Sequence, residues 1–441
     1  MKKNHASPFS VCLLYLTLLF CVSEPCKATD AFPVYPCIES NVRFWTKVYA
    51  EYPTTKGILH DSENLHLIYD IIDLRAPDTC GARTFNRKQI KAGKKRVKKI
   101  LMLLARDPNT LDPEARRLSG LFDSEADSTF FRKAIHRIRC QIGQKDRFRE
   151  GIIRSGAHLD DIKDICRQHH VPEDLAYLPH VESSFNPEAY SKYGAAGIWQ
   201  FTRTTGKRFM NVDYTLDERR DPIMSSRAAA KLLKQNYGTV QSWPLAITAY
   251  NHGMAGVLRA VRRKGGYENI FKEYRSRIFK FASRNFYSEF LAARDVAKNY
   301  VKYFGAIALK KPVETIEVHL EGYASIRDLS EHLKVEIETI RKFNPSLRPP
   351  VYSEQKYVPK GYRLHLPAKK SPASLSTLPD HIFRDQQKPS RFYRVRRGDT
   401  VSEIAMMHGL KASDIMIANN LNARGTIYAN QRLRLPVPGE T

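Results

Sequence analysis

Between residues 145 and 305 apolar side chains recur at helical spacing and never settle into sustained period-2 alternation. A strand hides alternate side chains and a helix hides every third or fourth, so this stretch is expected to close its core with packed helices. Leu159, Ile162, Ile165 and Cys166 form one apolar stripe. Pro172 suits the first turn of the next helix, where its missing N–H costs little, and Glu173 and Asp174 suit the positive end of that helix. The helix carries Leu175, Leu178 and Val181 inward and ends near Asn186-Pro187, which leaves Glu182 in its last turns. Residues 225–236 form an Ala- and Leu-rich helix closing at Tyr237-Gly238, and residues 243–251 and 286–304 supply two more.

The flanking regions have a different texture. A chain of 441 residues exceeds one ordinary domain. Residues 29–144 read as a polar helical region, with helices near 41–51, 63–73, 86–105 and 128–140. In the third of these Ile90, Val97, Ile100, Leu101 and Leu104 share a face, and Lys91 to Lys99 crowd the other as a solvated basic surface. Residues 391–437 run strand, helix, helix, strand. Tyr393 and Val395 alternate, Gly398-Asp399 turns into a helix of Val401, Ile404 and Ala405, Gly409 stops it, and residues 431–436 close as a strand. Residues 311–368 repeat that order loosely, and the Pro-, Ser- and Lys-rich stretch 369–390 suits a linker.

The first 28 residues have the order of an export signal: Lys2 and Lys3, then an apolar run over 11–22 that is too short to span a bilayer, then small and polar residues. Cys21 follows Phe20 and Cys26 follows Pro25, where lipid attachment calls for a small preceding residue, so export is the reading and a lipid anchor with outer-membrane association the lesser alternative. Cleavage near Ala28 leaves Cys37, Cys80, Cys140 and Cys166 in an oxidising compartment. Three complete pairings are open; Cys37 with Cys80 and Cys140 with Cys166 are nearest along the chain. Their spacing fits no zinc pattern, and neither a metal nor a cofactor is expected. Basic residues number 72 against 46 acidic, a formal charge of +26. That excess suits a polyanionic setting such as a carboxylate-rich wall polymer, an anionic membrane face or nucleic acid. The last rests on charge alone and sits badly with export, so no nucleic-acid partner is expected.

The chemistry concentrates in VESSFNPEAYSKYGAAGIWQFTRTTG, residues 181–206, and in ITAYNHG, residues 247–253. Glu182 is the one well-framed carboxyl group there; Asp213, Asp217 and Asp221 fit loop or helix-cap roles better. Glu-Ser at 182–183, Gly-x-x-Gln at 197–200 and Ala-Tyr-Asn at 249–251 form an ordered set that resembles the family 1 lytic transglycosylases, enzymes that cut peptidoglycan glycan strands. Trp199 stands where many relatives carry Met, and His252 where small residues are frequent. The segment YRVRRGDTVSEIA with LRLP resembles a LysM module; residues 311–368 are a degenerate copy that lacks the Gly-Asp-Thr entry.

The resemblance implies a mainly α protein: a lysozyme-like helical catalytic domain over 145–310, followed by one degenerate and one clear small α+β module. It implies that Glu182 acts as single general acid and base, that Ser183 and Gln200 contact the sugar, that Tyr250 orients Glu182 through its hydroxyl, and that Asn251 holds substrate or a loop. Glycoside cleavage usually takes two carboxyl groups. One suffices when the muramic-acid C6 hydroxyl attacks its own anomeric carbon and leaves a 1,6-anhydro ring. The expected setting is a monomer in the periplasm or cell envelope, bound to glycan strands, with room for outer-membrane or cell-wall protein partners. A lysozyme-type muramidase of the same fold and a non-catalytic wall-binding protein are the rival readings.

Overall fold

The computed structural model describes residues 30–122, 126–368 and 378–436. The export segment read over 1–28 lies outside these residues. The central helix, Phe281–Lys298, is buried around most of its circumference, and everything near the site packs on it. On one side lies Glu39–Ala50; on others lie Trp243–His252 and the short run from Glu173 to Ser183. Pro222–Val240 backs Trp243–His252 and runs on past Gly238, beyond the expected stop. The expected helix over 286–304 breaks at Asn299 into Phe281–Lys298 and Tyr300–Phe304. Trp199, Phe185, Ile198 and Phe201 from the motif segment enter the same core as Phe286, Tyr287 and Phe290.

Residues 30–142 are not purely helical. Ile68–Asp73, where a helix was expected, pairs antiparallel with Lys56–Asp61, which pairs with Ile138–Ile142 on its other edge. Six residues are too few for spacing to separate a strand from a helix turn, and the Ile-rich IYDIID favours the pleated surface. The basic helix, Ala82–Arg106, lays Val97, Ile100, Leu101 and Leu104 against this sheet, as its apolar face predicts. Cys37, Cys80, Cys140 and Cys166 are all unpaired, contrary to the expected disulfides. Cys140 lies on a sheet strand and Cys166 is buried in the helical core, so nearness along the chain does not become nearness in space.

Both C-terminal segments adopt the strand-helix-helix-strand order. Thr315–His319 pairs antiparallel with Arg363–Pro367 around Ile326–Leu333 and Ile337–Phe343. Arg391–Arg394 pairs with Arg432–Leu435 around Val401–Met407 and Ala412–Asn419. In the later copy Thr400 and Glu403 form a reciprocal capping box, the structural use of the Gly-Asp-Thr entry that the earlier copy lacks.

Candidate active site

Glu182 occupies the last turn of Leu178–Ser183, which follows a tighter turn over Glu173–Tyr177. The helix cannot run further, because Ser184 and Phe185 take left-handed backbone at φ 51° and 54°. Arg154 closes this end by donating from Nη2 to the Ser184 carbonyl at 2.7 Å. Directly beneath, His180 is buried between Phe148 and Phe185, ring centroids 5.0 and 4.5 Å away. Burial, and then the charge of Arg154, hold its pKa down at about 3, so this buried imidazole is neutral.

Glu182 itself is half-buried. Burial, and then the charge of Glu289, raise its pKa from 4.5 to about 8. Sequence reasoning missed Glu289. It projects from the central helix, is half-buried as well, and is raised to about 8 by burial, with Arg139 of the N-terminal sheet pulling the other way. The buried phenol of Tyr49, on Glu39–Ala50, feels both carboxyl groups, and its pKa is raised well above the ordinary value, first by burial and then by them. Two carboxyl groups thus share one poorly solvated place, and each is held toward its neutral form. Asp213, Asp217 and Asp221 take no part: Asp213 accepts from the Thr215 and Leu216 amides, and Asp217 and Asp221 cap the helices that follow them.

The Gly-x-x-Gln segment forms a tight turn beside Glu182. Ala196 bridges to both Tyr190 and Phe201, and Gly197 and Gln200 take left-handed backbone. A Cβ on Gly197 would sit 1.7 Å from the Arg219 carbonyl oxygen, so only glycine fits. Three of the remaining candidate residues, Ser183, Gln200 and Tyr250, hold this turn. Ser183 donates to the Ile198 carbonyl at 2.9 Å and accepts from the Asn186 amide. The Gln200 side-chain amide donates to the Gly197 carbonyl at 2.9 Å. Tyr250 donates to the Trp199 carbonyl at 2.8 Å, not to Glu182 as expected. The Trp199 carbonyl lies in a turn with no ladder to serve it, and Tyr250 is the donor that reaches it. Tyr250 is still close enough that the Glu182 charge, after burial, raises its pKa. Asn251 accepts from Ser283, which also meets His252 Nδ1, so His252 has a structural partner. Trp199 is a core residue whose Nε1 donates to Ser226 at 2.7 Å. Among the described residues no cluster of His, Cys, Asp or Glu is arranged to hold a metal ion.

Two stretches match known families: residues 162–271 match the transglycosylase SLT domain and residues 393–436 the LysM domain. Membrane-bound lytic murein transglycosylase D of Escherichia coli K12 is 26% identical over 306 residues, which cover 64% of this chain and 68% of that one. A putative tributyltin chloride resistance protein of an Alteromonas species is 38% identical over 110 residues, 24% of this chain and 53% of its own. Among solved structures, an inactive mutant of the lytic transglycosylase Slt from Pseudomonas aeruginosa aligns with a TM-score of 0.29 at 15% identity. That alignment covers 52% of this chain and 34% of the other, so the chain spans about a third of its length. The chain carries a transglycosylase SLT domain and a C-terminal LysM domain, and it is homologous to membrane-bound lytic murein transglycosylase D.

Proposed function

We propose that this protein is a peptidoglycan lytic transglycosylase and that Glu182 is its general acid and base. The observation that carries the assignment is a half-buried carboxyl group whose pKa is raised to about 8, seated beside the Gly-x-x-Gln turn. A proton donor must still hold its proton near neutral pH, and burial supplies that condition.

The reaction runs between MurNAc and GlcNAc. Glu182 gives its proton to the bridging oxygen as the bond to the MurNAc C1 breaks. The C6 hydroxyl oxygen of the same MurNAc bonds to C1, and its proton returns to Glu182. No water is consumed, and the group ends as it began. Intramolecular attack replaces the bound water a hydrolase must position, and such proximity is worth several kcal/mol, on the order of 7 or more in favourable cases. Ser183 and Tyr250 fix the turn that walls the site. Gln200, whose carbonyl oxygen is left over from its turn contacts, and Asn251 face the glycan.

The terminal LysM module concentrates the enzyme on its insoluble substrate, since a second weak contact raises the local concentration at the first. We place the protein in the periplasm or cell envelope, as the basic-then-apolar N-terminal sequence suggests; among the described residues no helix is long and apolar enough to cross a membrane. Digestion of purified sacculi followed by mass analysis tests the reading. Released muropeptides should lack one water relative to reducing ends. Reducing ends alone would mean hydrolysis, and no release would leave a wall-binding protein.

A further inference from the structure

The two strand-helix-helix-strand modules are built on one plan, and both touch the catalytic domain, the second through Arg434 over the Tyr214 ring at 4.2 Å, yet only the second leaves the loop after its second helix open. In the first, Asn344 accepts from the His365 amide at 2.9 Å and donates to the His365 and Ile340 carbonyls at 2.8 Å. In the second, Asn419 accepts from the Arg434 amide at 2.7 Å and donates to the Arg434 and Ile415 carbonyls at 2.8 Å. This shared clasp puts the loops that follow Asn344 and Asn419 in equivalent places. In the second module that loop is open, with Tyr428 72% exposed. In the first it is covered by the catalytic domain. The Asp217 amide donates to the Ser346 carbonyl at 2.7 Å, and the Arg348 amide donates to the Thr215 carbonyl at 3.0 Å. Leu216 bridges to Leu347 and is buried in the module's own core.

The contact continues to the active site through one buried ion pair. Arg219 holds both oxygens of Asp217, at 2.8 and 2.7 Å, with both side chains almost wholly enclosed. Its remaining nitrogen donates to the carbonyls of Gly194 and Phe201, the two ends of the Gly-x-x-Gln turn. Its own carbonyl packs where a Gly197 side chain would be. The middle of that turn is bonded to Ser183, next to Glu182.

We propose that residues 313–367 are a brace of the catalytic domain, which position the turn beside Glu182 through Asp217 and Arg219, and that wall binding falls to the terminal module alone. The positioning role rests on the function proposed above for Glu182. The structural part of it does not: the first module's equivalent loop is occupied, whatever the reaction.

The test uses the full-length chain with Arg219→Lys, which keeps the charge beside Asp217 but cannot span both turn carbonyls. Arg348→Ala serves as a milder variant: it removes the guanidinium that donates from Nη1 to the Asp213 carbonyl at 2.6 Å and leaves the backbone bonds to Thr215 and Ser346 in place. Turnover of soluble glycan fragments, pelleting with sacculi and amide exchange over residues 194–201 are measured well below the melting temperature of each variant. The expected result is kcat lowered ~10–100-fold in Arg219→Lys, since a displacement near 1 Å is enough for that. KM and sacculus binding should stay within about twofold, and the turn amides should exchange faster. Arg348→Ala should show the same pattern in smaller degree. Unchanged kcat with protected turn amides would overturn the brace, and so would lost sacculus binding in Arg348→Ala with kcat intact. Should the wild-type enzyme release no anhydro product, the proposed reaction falls, while the exchange result still decides the brace.

Discussion

Glu182→Gln separates what the acid does for catalysis from what it costs the fold. A carboxyl group whose pKa is higher in the folded chain than in the unfolded one binds protons more tightly when folded, so stability falls as pH rises between the two values. Here they are 4.5 and about 8. Below pH ~4.5 both states carry the proton and Glu182 costs nothing; the penalty grows up to pH ~8 and is constant above it. At ~1.4 kcal/mol for each tenfold change in proton affinity the ceiling is ~5 kcal/mol, and the solvent access of a half-buried side chain lowers it to roughly 2 kcal/mol. Glutamine keeps the shape without the charge. The variant should therefore melt at the wild-type temperature at pH 4 and roughly 4–8 °C higher at pH 8. Its turnover of sacculi should fall by at least ~10³-fold with binding unchanged. Thermal unfolding at a series of pH values, beside muropeptide release, reads both. A melting difference independent of pH, or a variant less stable at pH 8, would refute the picture of a carboxyl group strained by burial; retained turnover would refute its chemical role.

Other consequences follow from particular contacts. Gly197→Ala drives a methyl group into the Arg219 carbonyl and should lose at least ~3 kcal/mol of stability, seen as a lower melting temperature and poor recovery of folded protein. Tyr250→Phe leaves the Trp199 carbonyl without its donor; a loss of ~1–2 kcal/mol and reduced kcat are expected from melting and kinetics. Asn419→Ala breaks the clasp of the terminal module at roughly 2–3 kcal/mol. Pelleting with sacculi should weaken in this variant while turnover of soluble glycan fragments stays at the wild-type level.

How far the sequence discloses this molecule depends on the range over which each feature is set. The helices around Glu182 were legible because their apolar stripes are long and Pro, Gly and Asn-Pro punctuate them. The Gly-x-x-Gln turn was legible because Gly197 takes left-handed backbone that favours glycine, although the Arg219 carbonyl that also excludes a side chain comes from farther along the chain. The strands at 56–61 and 68–73 were not: they pair with each other, and 56–61 takes its other partner from residues 138–142, some eighty residues along the chain. The partners of Ser183 and Tyr250 were missed for a related reason: the motif names the residues, but the turn's carbonyls decide whom they bond. The brace follows from Leu216 entering a core more than a hundred residues away. Glu289 did leave a trace. It sits in YSEFLAA, among side chains buried on nearly every side of the helix, and a lone glutamate there has no open face to occupy.

That second carboxyl group bears on whether the bond is cut by the sugar's own hydroxyl or by water. A hydrolase needs its second carboxylate ionised, to activate water or to attack carbon. Glu289 is held at about 8, so near neutral pH it is mostly protonated and poorly suited to either task. As pH rises toward 8 and Glu289 begins to ionise, its charge opposes a charge on Glu182 and helps keep that group in its acid form. Glu289→Gln removes that opposition. The pKa of Glu182 should fall, though burial, the larger cause, remains. The alkaline limb of kcat should then move to lower pH, with anhydro products and most of the turnover at pH 6 preserved. The pH profile of kcat, with product masses at each point, distinguishes the alternatives. If Glu289→Gln is as inactive at every pH as Glu182→Gln, the second carboxyl group is a base after all, and the reaction is a hydrolysis in which two acids divide the work.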